Sequence, residues 1–217
     1  RVVRDHYRTF AWEIFAGEAK FTKQVIAGGH IAGEPIDIRK NFDLLDPKQR
    51  NHTAAMIETY EPWIVTLAFP CDPWSPIQRI NLAMGRFGVL LARDVHMAFL
   101  DFTKRILNMQ STKSRLGLAE NPWQSEAYHQ EPMVDLLQQD PPMKFKLVRR
   151  DQCRDGLTSW VSNMLHMKPT GLLVPEGSAL EYTLDKRCLG DHVHTPTMGG
   201  KRITGPAGIW QPEFARD

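Results

Sequence analysis

Trp63-Ile64-Val65-Thr66-Leu67-Ala68-Phe69 is the stretch that decides the fold expected for this chain. It is apolar apart from one threonine and has β-branched side chains at three successive positions. A run without polar alternation is typical of a strand that is buried on both faces, as in parallel sheets. Pro70 and Cys71 follow at once, and the proline turns the chain out of the sheet. The sequence therefore predicts a central strand with a cysteine just beyond its carboxyl end.

Outward from this strand, the chain alternates between strand and helix patterns. Strands are predicted for residues 10–15, 30–34, 63–69, 115–119 and 144–148, and helices for residues 18–27, 47–60, 85–107 and 133–138. This alternation predicts an α/β fold with an open, doubly wound, mostly parallel sheet. From Pro169 onward the chain is rich in glycine and proline and no element is predicted. We expect one domain over residues 1–175 and an irregular extension of it over residues 176–217.

Composition and charge restrict the function classes. The 217 residues carry 27 Lys and Arg against 25 Asp and Glu, so the net charge is +2 and any nucleic-acid contact must be a local patch. Three cysteines are too few for a disulfide framework and favour a reducing, intracellular compartment, nucleus or cytoplasm. The longest nearly apolar run, residues 64–70, is far shorter than the roughly 20 residues of a membrane helix. We expect no membrane partner.

Small or polar residues follow four of the predicted strands. They are Gly17, Glu34, Cys71 and Glu120. Ligands of open α/β sheets bind beyond the carboxyl ends of the strands, and a glycine there lets backbone approach a ligand closely. A carboxylate about 20 residues after the first glycine turn is typical of ribose binding. These positions fit a nucleotide-like ligand near Gly17 and a thiol paired with Glu120. An ordinary turn, solvated loop carboxylates and an unreactive cysteine are the alternatives that the residues alone leave open.

These residues lie in motifs that resemble a known family. Phe15-Ala16-Gly17, Phe69-Pro70-Cys71 and Glu120-Asn121 are similar in order and spacing to the S-adenosylmethionine-dependent cytosine 5-methyltransferases, above all to compact versions from phages and mobile elements. Further matches are a Pro-Cys-x-x-Trp-Ser loop, a Glu-Asn-Pro-x-x-Ser segment, Asp-x-Cys-x-x-Gly and Lys-x-Thr, which begin at Pro70, Glu120, Asp151 and Lys168. The resemblance covers about residues 11–173.

The resemblance implies a Rossmann-like class I methyltransferase fold, S-adenosylmethionine as cofactor and a nucleic-acid partner, expected to be DNA. Cys71 would be the nucleophile that adds to carbon 6 of a flipped cytosine, and Glu120 would hold the ring nitrogen N3. The cofactor pocket would be lined by Phe15, Ala16, Gly17, Glu34, Asp37, Asp43 and Pro70. The nucleic-acid substrate would contact Trp74, Ser75, Asn121, Trp123 and Lys168.

Three positions depart from the family pattern. Ala19 stands where the glycine turn usually has a second glycine, and Asp72 stands where glutamine usually follows the cysteine. Asp72 should raise the pKa of the neighbouring thiol. Gly171 stands where an arginine usually supports the bound base. These departures leave open a catalytically impaired scaffold or nucleic-acid-binding module that keeps the fold, with or without the cofactor pocket.

Another open alternative is an amino-methyltransferase acting on adenine N6 or cytosine N4. Such enzymes carry an Asp/Asn-Pro-Pro-Tyr/Trp motif, and residues 72–74 and 121–123 each resemble it with one proline missing. The Phe-Pro-Cys run and the glutamate before Asn121 favour the cysteine mechanism.

The C-terminal part contains zinc-like ligand types. Cys188-x-x-x-His192-x-His194 offers three ligands, and Cys153 is a candidate fourth. The spacing is not that of a standard zinc finger, so an ordinary surface loop is the alternative.

Overall fold

The computed structural model describes residues 9–141, 143–159 and 162–195. In these ranges no helix combines the length and apolarity needed to cross a bilayer. The elements, in chain order, are β1 (Ala11–Ile14), α1 (Lys20–Ala27), α2 (Pro47–Tyr60), β2 (Ile64–Leu67), α3 (Gln78–Ala83), α4 (Gly88–Thr112), β3 (Leu116–Pro122), α5 (Glu131–Gln138), β4 (Phe145–Asp151), β5 (Pro169–Pro175) and α6 (Ala179–Leu184).

The five strands form one mixed sheet in the order β1-β2-β3-β5-β4. β1, β2 and β3 run parallel to one another, whereas β5 is antiparallel to both β3 and β4. The α/β prediction is confirmed, but the sheet is only partly parallel. Its order is also not the 3-2-1-4-5-7-6 order of the classic methyltransferase sheet.

The strand predicted for residues 30–34 forms only single bridges beside β1. Ala32 pairs with Ala11 and Ile36 pairs with Ile14, both in parallel orientation. The segment between them lies against the Trp12 ring, where a Cβ on Gly33 would be 2.3 Å from a ring carbon. Pro35 has no N–H to donate to a ladder. Close packing and the missing donor therefore leave this edge as an interrupted strand.

Carboxylates accept backbone N–H groups at the starts of two helices, of which α2 begins at the predicted residue and α1 begins at Lys20, two residues later than predicted. Asp46 accepts a hydrogen bond from Lys48 N–H, and Pro47 occupies the first helical turn of α2. In α1 the N-cap residue is Ala19, which has no side-chain acceptor. The buried carboxylate of Glu13, on β1, instead accepts from the N–H and the hydroxyl of Thr22 at 2.8 and 2.7 Å. This bond joins α1 to the first strand.

The helix predicted for residues 85–107 is longer and starts later than expected. Gly85 adopts a φ of +73° between α3 and α4, so the chain breaks there before α4 begins at Gly88. The second half of α4 is buried, with Phe102, Ile106 and Leu107 at most 3% exposed.

The sequence did not predict β5, nor the short helices α3 and α6. The central β5 residues Leu172, Leu173 and Val174 are fully buried, so this end of the expected domain is an interior strand, and α6 lies within the extension that was expected to be irregular. Pro169 and Pro175 stand at the two ends of β5, where a missing N–H interrupts the ladder least. α6 then packs Leu180 and Leu184 into a cluster with Leu172 and Val174.

Helices cover both faces of the sheet. The larger core cluster joins α2, α4 and α5 to strand residues such as Val65, Leu67 and Leu173. The smaller cluster joins α1 and α6 to the opposite face through residues such as Ile64, Leu118 and Leu172. Alternate residues of each strand serve opposite clusters, as the pleat requires.

The turn after β1 predicts a stabilising substitution. Ala19 has a φ of +52°, in the left-handed region, which costs an L-residue other than glycine about 1 kcal/mol or more. We expect Ala19→Gly to raise the melting temperature by about 2–4 °C, the shift typical of 1 kcal/mol in a chain of this length. Thermal unfolding followed by circular dichroism measures this shift.

The matched control is Ala55→Gly, at an exposed position inside α2. There the same substitution should lower stability by about 1 kcal/mol, because glycine is a poor helix former. A lower melting temperature for Ala19→Gly would contradict the assignment of strain to this turn.

Candidate functional site

The carboxyl ends of β2 and β3 are clamped together by Asn121. The two strands pair in parallel, with Leu67 opposite Ala119. Beyond that pair, the Asn121 amide donates to the carbonyl oxygen of Phe69 at 3.0 Å, and its Oδ1 accepts from Ser125 Oγ at 2.6 Å. Asn121 is fully buried, so it positions the chain and presents no open surface. The clamp brings Cys71 and Glu120 to the same edge of the sheet.

The loop after β2 folds back on Cys71. The N–H groups of Trp74 and Ser75 both donate to the Cys71 carbonyl, at 3.0 and 2.8 Å. The Trp74 side chain is fully buried, with the Arg93 guanidinium 5.6 Å from its ring centroid. Trp74 therefore packs in the core, whereas Cys71 and Ser75 are partly exposed.

Lys168 meets Glu120 because β5 runs antiparallel to β3. The start of β5 thus lies at the carboxyl end of β3, where Trp123 N–H donates to the Pro169 carbonyl at 3.0 Å. Lys168 Nζ lies 3.7 Å from Glu120 Oε1, and both side chains are less than one-fifth exposed. Lys168 was predicted as a substrate contact, and the structure gives it this ion pair.

The surroundings of Cys71 favour the neutral thiol. Burial, followed by the charge of Glu120, raises the pKa of Cys71 from 9.0 to about 11. Lys168 opposes this shift, and Asp72 adds to it as the sequence predicted. The thiol and the Glu120–Lys168 pair therefore form one electrostatic unit, and at neutral pH the sulfur carries its proton.

Tyr128 is a buried residue beside this site that the sequence did not indicate. Its hydroxyl donates to the Gly171 carbonyl at 2.6 Å and also lies 3.3 Å from the Asn121 carbonyl. Burial raises the pKa of Tyr128 well above its usual value, so the hydroxyl remains a donor. A Cβ at position 171 would lie 2.8 Å from the tyrosine ring, which explains why a glycine stands there. No spacing in the sequence relates positions 128 and 171.

The glycine turn after β1 has an unusual backbone. Phe15, Gly17 and Ala19 all have φ between +51° and +57°. Ala16 is buried and donates its N–H to the Ile36 carbonyl, and Gly17 N–H donates to Asp37 Oδ2 at 2.8 Å. Nothing lies within 4 Å of a Cβ built on Gly17, so the turn is open on that side.

The three carboxylates that were predicted to bind the cofactor lie in different surroundings. Asp37 contacts the glycine turn directly, through Gly17. Glu34 is exposed, and its backbone carbonyl accepts from the Trp12 indole at 2.6 Å. Asp43 caps the turn before α2 by accepting from Leu45 N–H at 2.9 Å. The predicted pocket shared by Gly17 and the Glu34 side chain stays a prediction.

Trp123 is flanked by two cations. The Arg149 and Arg187 guanidinium carbons lie 6.0 and 5.7 Å from its ring centroid. Arg149 also forms an ion pair with the buried Asp151. Arg187 likewise lies 3.5 Å from Asp185, so the patch formed by Trp123, Arg149 and Arg187 contains two guanidinium groups whose charges are partly compensated. Neither arginine was singled out from sequence as a partner of Trp123.

A cavity of about 430 Å³ lies elsewhere, between α2 and the C-terminal half of α4. Its lining includes Ile57, Met109 and Arg115. Because α2 and α4 lead into the starts of β2 and β3, this cavity lies at the opposite end of the strands from Cys71. None of the predicted site residues lines it.

The electrostatics of Cys71 predict its reactivity. Since only the thiolate is alkylated, modification by iodoacetamide should rise with a midpoint near pH 11. At pH 8 the thiolate fraction should be about 100-fold below that of a thiol with the ordinary pKa. Glu120→Gln should lower the midpoint and Lys168→Met should raise it. Mass spectrometry of the Cys71 peptide measures the rates, and a wild-type midpoint below pH 9 would contradict this assignment.

Comparison with models of protein families, with curated proteins and with solved structures gives no significant match for this chain. A function for this chain is therefore inferred from its residues and their geometry.

Proposed function

We propose that this chain transfers a methyl group from S-adenosylmethionine to carbon 5 of cytosine in DNA, with Cys71 as the nucleophile. The observation that carries the proposal is that Cys71, Glu120 and Lys168 lie close enough to interact electrostatically. A thiol and a carboxylate at the ends of neighbouring parallel strands share one electrostatic environment. A cation pairs with that carboxylate from the antiparallel strand beside it.

The strand order supports a methyltransferase-type sheet. In the order 3-2-1-4-5-7-6, omission of strands 2 and 3 leaves 1-4-5-7-6. Renumbered in chain order this is 1-2-3-5-4, which is the order observed here. The bridges of Ala32 and Ile36 to β1 lie where the second strand would pair. On this argument the sheet is a shortened version of the family sheet.

The chemistry proposed for the site balances without a strong base. The Cys71 sulfur adds to carbon 6 of cytosine and the thiol proton moves to N3. The ring becomes an enamine, and no proton is gained or lost overall. Glu120 is the group that holds or passes this proton at N3. Bound S-adenosylmethionine supplies the electrophilic methyl group for carbon 5. Water then accepts the carbon 5 proton. Cleavage of the sulfur–carbon bond restores the aromatic ring, and the N3 proton returns to the Cys71 sulfur.

Lys168 and Asn121 act as positioning residues in this scheme. The ion pair keeps Glu120 oriented and partly compensates its charge, so the carboxylate does not suppress the thiolate further. Asn121 keeps the Phe69 carbonyl and hence the cysteine loop in register with β3. Neither residue needs to touch the base.

The turn after β1 fits a nucleoside cofactor. Gly17 is open to approach, and the carboxylate of Asp37 holds its N–H. The acidic side chain of Glu34 is exposed on the adjoining segment and is available for a ribose diol. Phe15 packs on Phe99, at 5.1 Å between ring centroids, which fixes the wall of the turn.

The patch around Trp123 fits a nucleic-acid partner. Arginine side chains contact phosphates, and a partly exposed aromatic ring stacks on unpaired bases. Arg149 and Arg187 offer the first kind of contact and the Trp123 ring offers the second, beside the strand that carries Glu120. A base must leave the double helix to reach Cys71, so an adjoining patch that binds the strand is needed.

A catalytically impaired scaffold is the second candidate function. Two observations favour it: the pKa of Cys71 is raised to about 11, and Tyr128 fills the space beside Gly171 where the family has an arginine. Such a protein would bind the cofactor and nucleic acid without transferring a methyl group.

Covalent trapping tests the cysteine mechanism. DNA containing 5-fluorocytosine should form a stable adduct with the chain in the presence of S-adenosylmethionine, because fluorine cannot leave as a proton does. A denaturing gel and mass spectrometry should place the adduct on Cys71. Cys71→Ala should abolish the adduct, and Glu120→Gln should reduce its rate by about 100-fold or more, the lower end of the range for a general acid.

The controls separate the alternatives. Glu58→Ala, on the exposed side of α2, should still form the adduct, since this residue lies outside the proposed site. Methylation of carbon 5 by Cys71→Ala would overturn the mechanism. Methylation of an amino group by that variant would support the amino-methyltransferase, and cofactor binding without methylation of DNA or RNA would support the scaffold.

Cofactor binding is tested by calorimetry. The intact chain should bind S-adenosylmethionine, and Glu34→Ala should weaken binding about 10-fold or more, as expected for a lost charge-assisted hydrogen bond. Asp37→Ala should also weaken it, because the Gly17 turn loses its anchor. Glu58→Ala, on the exposed side of α2, is the control and should bind normally. No binding by the intact chain would exclude both candidate functions.

A further inference from the structure

A second group of polar side chains lies where the end of β4 meets the segment after α6. Cys153 belongs to the 3₁₀ turn Gln152–Asp155, and Cys188, His192 and His194 follow the helix. One ligand atom from each of the four residues lies within 4.8 Å of every other. Residues far apart in the chain thus present two sulfurs and two imidazoles to one point.

The spacing of these atoms fits a tetrahedral metal. Zinc bonds to sulfur and nitrogen of about 2.0–2.3 Å separate the ligand atoms of a tetrahedron by roughly 3.3–3.8 Å. Cys188 Sγ lies 3.7 Å from His192 Nε2 and 3.4 Å from His194 Nε2. These two distances already match the tetrahedron, so closure of the group around an ion needs only small side-chain movements.

Hydrogen bonds around the group orient the ligands. His192 Nδ1 lies 2.6 Å from Asp191 Oδ1, which leaves Nε2 directed at the sulfur. Carboxylates in this position hold the ring and the tautomer of metal-binding histidines. The backbone N–H of Gly190 donates to Cys188 Sγ at 3.3 Å. The Cys188 N–H donates to Asp151 Oδ2 at 2.9 Å.

The turn that carries Cys153 is rigidly held. Arg150 forms a two-bond pair with Asp155, at 2.8 and 2.6 Å, with both side chains almost completely buried. This pair spans the turn and fixes Cys153 between its ends. Cys153 is 4% exposed, so its sulfur has no route to solvent comparable to that of a surface thiol.

We infer that Cys153, Cys188, His192 and His194 bind one zinc ion in a closed structural site. Two thiolates and two neutral imidazoles are the ligand types that zinc prefers in tetrahedral sites. Four protein ligands leave no coordination position for a substrate, so the ion holds the fold and takes no part in a reaction. It connects residues 188–194 to the end of β4. This inference does not depend on the proposed function.

The opposing interpretation is a disulfide between Cys153 and Cys188, which are both free thiols in the structure. A disulfide would use the two sulfurs and leave the imidazoles without a role. The convergence of His192 and His194, whose ring centroids are 4.5 Å apart, favours the metal. The two states are chemically distinct and can be separated by experiment.

Metal analysis of the full chain, purified under reducing conditions, tests the inference. We expect one zinc per chain by atomic emission, and less than about one-tenth of that in Cys188→Ser, because removal of a ligand opens a closed site. Cys71→Ser is the matched control, since it also removes a cysteine, and it should retain one zinc.

Cobalt replacement keeps the test decisive if a variant fails to fold. Co²⁺ added to the metal-free wild-type chain should give the intense visible bands of tetrahedral cobalt and a sulfur-to-metal charge-transfer band, both displaced by Zn²⁺. Removal of zinc by a chelator should lower the melting temperature of the wild-type chain. A metal-free chain that gives no tetrahedral cobalt spectrum, or a Cys153–Cys188 disulfide found by mass spectrometry under these conditions, would overturn the inference.

Discussion

The antiparallel pairing of β5 with β3 is the constraint on which the site depends. An antiparallel neighbour begins where its partner ends, so Lys168 arrives beside Glu120 and the Pro169 carbonyl receives the Trp123 N–H. A parallel strand in the same place would bring its distant end there instead. The interior position of β5 is secured by burial on both faces, since Leu172 and Leu173 belong to opposite core clusters. Packing of the sheet thus determines which cation meets the carboxylate.

The start of β5 lies between the Cys71–Glu120 site and the turn that carries Cys153. Gln152, next to Cys153, donates its amide to Thr170 Oγ1 at 2.9 Å and its N–H to the Lys168 carbonyl at 3.3 Å. The start of β5 is therefore held on one side by the clamp at β3 and on the other by the turn that carries the first thiol of the Cys/His group. Two hydrogen bonds thus join the Gln152–Asp155 turn to the segment that carries Lys168, the partner of Glu120.

Local signals in the sequence predicted local structure well. Asp46-Pro47 located the start of α2, and the run from Trp63 to Phe69 contains β2. β5 was missed because Gly171 and its flanking prolines were interpreted as loop signals, although five successive residues there are buried. At Gly171 the glycine reflects the contact with Tyr128 and not a turn. The candidate site shows the same limit: its residues could be named from motifs, but the Glu120–Lys168 pair and the burial of Trp74 arise only from tertiary packing.

The contact between Tyr128 and Gly171 also couples the substitutions that these two positions can accept. A larger residue at 171 is excluded while the tyrosine ring stays 2.8 Å from the space that its Cβ would occupy. Replacement of Tyr128 first removes the hydroxyl that serves the Gly171 and Asn121 carbonyls, which leaves buried acceptors unpaired at about 1–3 kcal/mol. Each single step therefore passes through a less stable intermediate, and the two positions are expected to change together. Position 171 is therefore confined to glycine for as long as Tyr128 occupies the adjoining space.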